Sequence, residues 1–178
     1  MDRRQLGALA AALLVGAAPA AWGHQPSPAA SPGGRLTTAP SLAVIRPAPD
    51  FALPDVAGTD VKLSERLTEA RLLPGEVTLL SVTVDPERDS AAVLARYAQA
   101  FTASPRGWRF LRSEPDRLGP VLARYDEWTK RLPNGDIDHP ARLYLIDRAG
   151  RIREIYSLGL FDERQAFLDI QALLREPR

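Results

Sequence analysis

Two histidines, His24 and His139, and no cysteine make up the transition-metal donors of soft or borderline type in this 178-residue chain. One imidazole is not a site, and carboxylates alone suit harder ions, so the options for copper or zinc are narrow. Without a thiol there is no disulfide, no thiolate ligand and no thiol redox cycle. His139 follows Asp138 just ahead of an apolar run and is the candidate metal ligand, set within an incomplete site. The competing reading is a histidine kept at a loop end to hydrogen-bond Asp138 or the backbone. His24 is the second candidate. If an export leader is cut after Gly23, its amine and imidazole become an N-terminal chelate that His139 could join, a nitrogen set favouring Cu(II). Asp85, Glu87, Arg88 and Asp89 resemble a charged catalytic group, but their spacing around Pro86 fits a turn with acids at a helix N-terminus. Tyr97, Trp108, Tyr125 and Trp128 could line a cleft. Tyr97 and Tyr125, however, fall on apolar helix faces where core packing is the commoner role.

The elements that must position these residues centre on Val77–Val84. This uncharged stretch rich in Val, Leu and Thr has the length of a strand buried on both faces, as in a parallel sheet. Asp85-Pro86 stops it, and Asp89 or Ser90 can cap a helix from Ala91 to about Ala103 whose Val93, Leu94, Tyr97, Ala98 and Phe101 form one apolar face. Ahead of the strand, Phe51–Leu53 and Val61–Leu63 read as a short hairpin around Ala57-Gly58-Thr59. Ser64 caps a helix from Glu65 to Leu73 that Pro74-Gly75 ends. Beyond it, Trp108–Leu111 reads as a strand and Pro115-Asp116 opens a helix in which Pro120 is awkward outside the first turn. Asn134-Gly135 marks a turn on the way to His139. Arg142–Arg148 and Ile152–Ser157 form a hairpin about Ala149-Gly150. Asp162 with Gln165 caps a terminal helix carrying Phe167, Leu168, Ile170 and Leu174.

The quoted motifs in this order (SVTVDPERD, then Trp108-Arg109-Phe110-Leu111, Asp138-His139, and LIDRAGRI from Leu145 to Ile152) resemble the Sco/SenC family of thioredoxin-like copper proteins, from about Phe51 to the C-terminus. The resemblance implies an α/β fold, a thioredoxin-like three-layer sandwich with an N-terminal β-hairpin, and a function related to copper delivery for cytochrome c oxidase assembly. Partners would be an oxidase subunit or assembly factors. It also implies a C-x-x-x-C pair and a histidine as Cu(I) ligands, of which only His139 has a counterpart here, with Pro140 where the family usually has Ser or Thr. Copper affinity is accordingly expected to be weak. In the family pattern a buried strand, the cysteine loop and a long helix precede the strand matching Val77. Here only Glu65–Glu76 lie between, too few for a strand and crossover helix, which need about 30 residues with the second strand. One central strand and part of the first helix are thus expected to be missing. Val77–Val84 should then pair directly with Arg142–Arg148, or the sheet should be poorly closed.

Three segments are expected. Residues 1–23 have the form of a signal peptide, with Asp2-Arg3-Arg4, an apolar run Leu6–Ala21, and small residues around Trp22. Residues 24–49 are Pro/Ala-rich and read as a disordered linker, and 50–178 form one domain. That organisation places the domain in the periplasm or another extracytoplasmic space, with membrane attachment only if the N-terminal segment stays uncleaved. The net charge of +1 without a basic stripe argues against nucleic acid. A thiol-disulfide oxidoreductase or peroxidase needs a thiolate nucleophile, so the chain is read as a non-enzyme. The alternative is a truncated or mis-assembled product of an ordinary copper chaperone.

Overall fold

The computed structural model describes residues 9–16, 42–72, 77–101 and 107–176. In chain order the strands are β1 (Leu9–Gly16), β2 (Arg46–Pro47), β3 (Ala52–Pro54), β4 (Asp60–Lys62), β5 (Val77–Thr83), β6 (Trp108–Leu111), β7 (Lys130–Arg131), β8 (Ile137–Asp138), β9 (Arg142–Ile146) and β10 (Arg151–Ser157). The helices are α1 (Leu63–Leu72), α2 (Ala91–Ala100), α3 (Pro115–Arg124) and α4 (Glu163–Arg175). Six strands form one mixed sheet in the order β2-β10-β9-β1-β5-β6, and β3-β4 and β7-β8 form two small hairpins.

The sheet centre differs from the expected direct pairing of Val77–Val84 with Arg142–Arg148. β1, from ahead of the Pro-rich stretch, lies between them, antiparallel to β5 from Leu9↔Thr83 to Gly16↔Val77 and parallel to β9 at Ala12↔Leu143, Leu13↔Tyr144 and Leu14↔Leu145. The physical reason is the backbone requirement itself: two buried strand edges need partners, and an uncharged apolar segment from elsewhere in the chain supplies both. Its direction is also informative. A strand joined to β5 by a crossover helix would run parallel to it, and β1 runs the other way.

Around this centre the local signals act as their chemistry requires. β5 is followed by α2 and then β6, parallel to β5 with Leu80↔Arg109 and Val82↔Leu111 in register. Ser90 Oγ accepts the Val93 N–H and caps α2, which ends at Ala100. The Asp89 carboxylate is instead taken by the Thr83 hydroxyl. A carboxylate from a distance supports the start of α1: Asp50 accepts the Ser64 N–H and hydroxyl at 3.0 Å each. Gly58, Gly135 and Gly150 have φ of 81°, 86° and 77°, the left-handed conformation their tight turns demand. Asp162 accepts the Arg164 and Gln165 N–H groups at the start of α4, where Phe167 is exposed and Ala166 and Asp169 are buried.

The core joins Leu53, Val61 and Leu63 of the hairpin region to Leu80, Val82 and Leu111 of the sheet. Leu118, Val121, Leu122 and Tyr125 of the α3 segment, with Tyr144, Ile146 and Ile152, complete it. One buried cation holds the edge: Arg153, 4% exposed, binds Asp147 and Glu176 and donates to the Leu42 and Ala43 carbonyls. Burial pushes the Asp147 carboxyl up, but hydrogen bonds from Arg151 and Arg153 outweigh it and hold the group below its ordinary value.

Pro120 is the sixth residue of α3, not in the first turn. It removes the N–H that would reach the Asp116 carbonyl, and both residues are exposed, so water takes that carbonyl. Proline in a helix interior costs about 3 kcal/mol against alanine, while the stiffer unfolded chain returns about 0.4–1 kcal/mol. Pro120→Ala should therefore raise the unfolding free energy by about 2–2.6 kcal/mol, read from urea denaturation, with an unchanged slope. A loss of stability would mean that the proline ring is needed where it sits.

Candidate metal centre at His139

His139 sits between β8 and β9, at the end of the β7-β8 hairpin that Asn134 and Gly135 turn; Asn134 accepts the Asp136 N–H and the Leu132 N–H reaches the Asp136 carbonyl. There is no cis peptide among the described residues, so the His139–Pro140 bond is trans. The ring is half-buried and its Nδ1 lies 3.1 Å from the Pro140 carbonyl. A carbonyl oxygen only accepts, so the contact is an Nδ1–H donated to the Pro140 carbonyl. That is the backbone hydrogen bond of the loop-end reading, and Nε2 lies outside it.

The groups behind the ring were not apparent in the sequence. Glu127, which follows the left-handed Asp126 (φ 58°) after α3, has a fully buried side chain. Its Oε1 accepts the Tyr144 hydroxyl at 2.9 Å and lies 3.5 Å from the Arg142 guanidinium, while its Oε2 has no hydrogen-bond partner among the described residues. Burial pushes the Glu127 carboxyl above its ordinary value, opposed by the Tyr144 hydrogen bond and by the charges of Arg142 and His139. The Tyr144 hydroxyl shares its one proton between Glu127 and the Tyr125 carbonyl, and burial raises its pKa to about 12. Glu127 gives no sequence signal, because an acid after a helix usually faces water.

The Asp85 turn is structural, as its spacing suggests. Its carbonyl accepts the Arg88 and Asp89 N–H groups, and its buried carboxylate binds Arg88 and Arg131. Arg112 donates to the Asp89 and Pro86 carbonyls. Burial raises the Asp89 pKa against the lowering hydrogen bond from Thr83. A cleft of about 220 Å³ lies beside this turn, walled by Val84, Pro86, Leu118, Leu122 and Ile137 with Arg131 at its polar side. It is smaller than the ~300–1,000 Å³ typical of small-molecule sites.

The aromatic residues do not gather into one cleft. Tyr97 packs edge-on against Phe110, Trp108 stacks on Phe110 and donates to Ser81, and Tyr125 meets Phe51 and Tyr144 in the core. Trp128 is exposed.

Among the described residues no three His, Cys, Asp or Glu side chains cluster as a metal site, and His24 lies outside those residues. A copper ion held by two thiolates and an imidazole does not fit this donor set, because the chain has no cysteine and His139 brings a single nitrogen.

A family model described as SCO1/SenC matches residues 52–175. The chain belongs to the SCO1/SenC family. The bovine mitochondrial protein SCO2 homolog is 30% identical over 112 residues, covering 58% of this chain and 41% of that protein, so the chain spans about two-fifths of its relative. Among solved structures, a SCO1/SenC family lipoprotein from Bacillus anthracis superposes with a TM-score of 0.57 at 17% identity, covering 72% of this chain and 95% of that one. The apo Sco1 protein of Thermus thermophilus gives 0.56 at 24% identity, covering 79% and 99%. Copper-bound ScoI of Bradyrhizobium japonicum gives 0.51 at 23% identity, covering 71% and 98%. These likenesses establish the thioredoxin-like α/β fold of the family.

The elevated Glu127 pKa fixes a sign. In the folded protein Glu127 holds its proton to higher pH than in the unfolded chain, so its contribution favours folding below the ordinary carboxyl range and weakens as pH rises through the folded value. Relative to Glu127→Gln, which stays neutral, the wild-type protein should lose stability from about pH 4 upward and level off above the raised pKa. Chemical denaturation of both proteins across pH measures this. A wild-type advantage that grows with pH would show that Arg142 and Tyr144 more than offset burial.

Proposed function

We propose that this chain is an extracytoplasmic Sco/SenC-type protein that acts by binding, in the setting of cytochrome c oxidase assembly, without carrying copper in a thiolate site. The observation that supports this reading is the family match over residues 52–175 on a chain with no cysteine. Copper binding and oxidase assembly are named for relatives of this fold, among them a Bradyrhizobium japonicum protein solved with copper and the protein BsSco, described as a member of the Sco family of cytochrome c oxidase assembly proteins. What passes to this chain is the scaffold and one imidazole. Partners would be oxidase subunits or assembly factors recognised through the surface of the fold. Export rests on residues 1–23, with retention in the membrane as the alternative fate of that segment. No helix among the described residues is long and apolar enough to cross a membrane.

A second reading has its own support. α1 ends at Leu72 and β5 begins at Val77, leaving no room for the strand and cysteine loop that the family places before this point. A mis-assembled coding sequence would produce that junction. Resequencing the locus between Glu65 and Glu76 separates the two readings, since a recovered cysteine pair would restore an ordinary copper chaperone.

The binding reading predicts that Cu(I) added to the full chain, in competition with a chelator, binds no more tightly than about 1 μM. His139→Ala should remove what residual binding there is. The spectrum should lack thiolate charge-transfer bands in either oxidation state. Tight one-to-one Cu(I) binding lost with His139→Ala would overturn the proposal.

A further inference from the structure

The slot between β5 and β9 is the most demanding place in the molecule. Leu80, Val82 and Thr83 on one side and Leu143, Tyr144 and Leu145 on the other are all buried with β1 in place, and without β1 the facing rows of backbone N–H and C=O groups would lose their partners. Closing the slot would require β5 and β9 to approach by about one strand spacing, ~4.8 Å, carrying their packed helices with them. β1 resolves this by pairing with both edges. Its sequence, Leu-Ala-Ala-Ala-Leu-Leu-Val-Gly, is uncharged and apolar throughout, as a doubly flanked strand requires. Yet β1 is joined to the rest of the domain only through residues 17–41, so the ladder and not a short turn determines where it sits.

We propose that the gap between β5 and β9 is a strand-acceptor site, filled by Leu9–Gly16 of this chain and able to take the same segment when it is supplied as a separate peptide. Recognition is by main-chain ladders on both sides, with an extended, uncharged, apolar segment of about eight residues as the ligand class. The site is independent of copper. If export processing cuts after Gly23, a consequence that rests on the proposed export, β1 is freed from its tether and stays only as long as its ladders hold it. A folded domain and a discarded leader are then competing fates of one segment.

The test uses the full chain carrying Leu13→Pro, which removes one ladder donor at the middle of β1. Leu13→Ala keeps that donor and serves as the control. Hydrogen exchange read at Leu80, Val82, Tyr144 and Ile146 should show protection falling on the order of tenfold or more in the proline variant and little change in the control. Adding a peptide of residues 9–16 with lysines at each end for solubility should restore protection on both strands, saturating at one peptide per chain. The same peptide with proline in place of Leu13 should bind on the order of tenfold or more weaker. If the proline variant fails to fold alone, the peptide should rescue it. Retained protection in Leu13→Pro, or no rescue by the peptide, would overturn the proposal.

Discussion

A strand edge buried inside a protein must find a hydrogen-bonding partner, and here that requirement falls on β5 and β9 together. Both carry buried apolar residues on their way to the site: β5 leads into the Asp85 turn, and β9 starts three residues after His139. Leaving either row of N–H and C=O groups unpaired would cost about 1–3 kcal/mol per buried group, enough for a few of them to cancel the net stability of a small domain. The pairing of β1 with both strands is therefore what allows the remaining packing to matter. Its reversed direction relative to a crossover strand means that the hydrogen-bond rule is satisfied without restoring the loop that would follow such a strand.

The neighbourhood of His139 follows the same logic on a smaller scale. Glu127 is buried with one oxygen satisfied by Tyr144 and one without a partner among the described residues, and its nearby cations offset burial only in part. Tyr144 in turn ties the segment after α3 to β9 through the Tyr125 carbonyl. Polar side chains thus brace the histidine loop from behind, and the loop does not need a metal to fix its course. The fold of the family is kept on a chain that contains no cysteine.

Much of this was legible from local chemistry. The uncharged β-branched run at Val77, the Ser90 cap, the glycines at 58, 135 and 150 and the Asp162 cap all act over a few residues, and the sequence displays such signals directly. What could not be read was non-local. Leu9–Gly16 has the composition both of a leader core and of a strand flanked on both sides, and its pairing is with β5 and β9, far along the chain. Asp50 reaches across 14 residues to accept the Ser64 N–H at the start of α1. Glu127 is buried because Tyr144 and Arg142 come to it from another strand, and Pro120 is tolerated in α3 because the carbonyl it orphans is open to water.

Arg153 gives the domain a shape that bears on how it is presented. By holding the Leu42 and Ala43 carbonyls and the Glu176 carboxylate with one guanidinium, it brings the point where the chain enters from the Pro-rich stretch beside the point where α4 finishes. A single guanidinium thus couples residues 42 and 43 to Glu176, so loosening the last turn of α4 would also release the stretch that leads into β2.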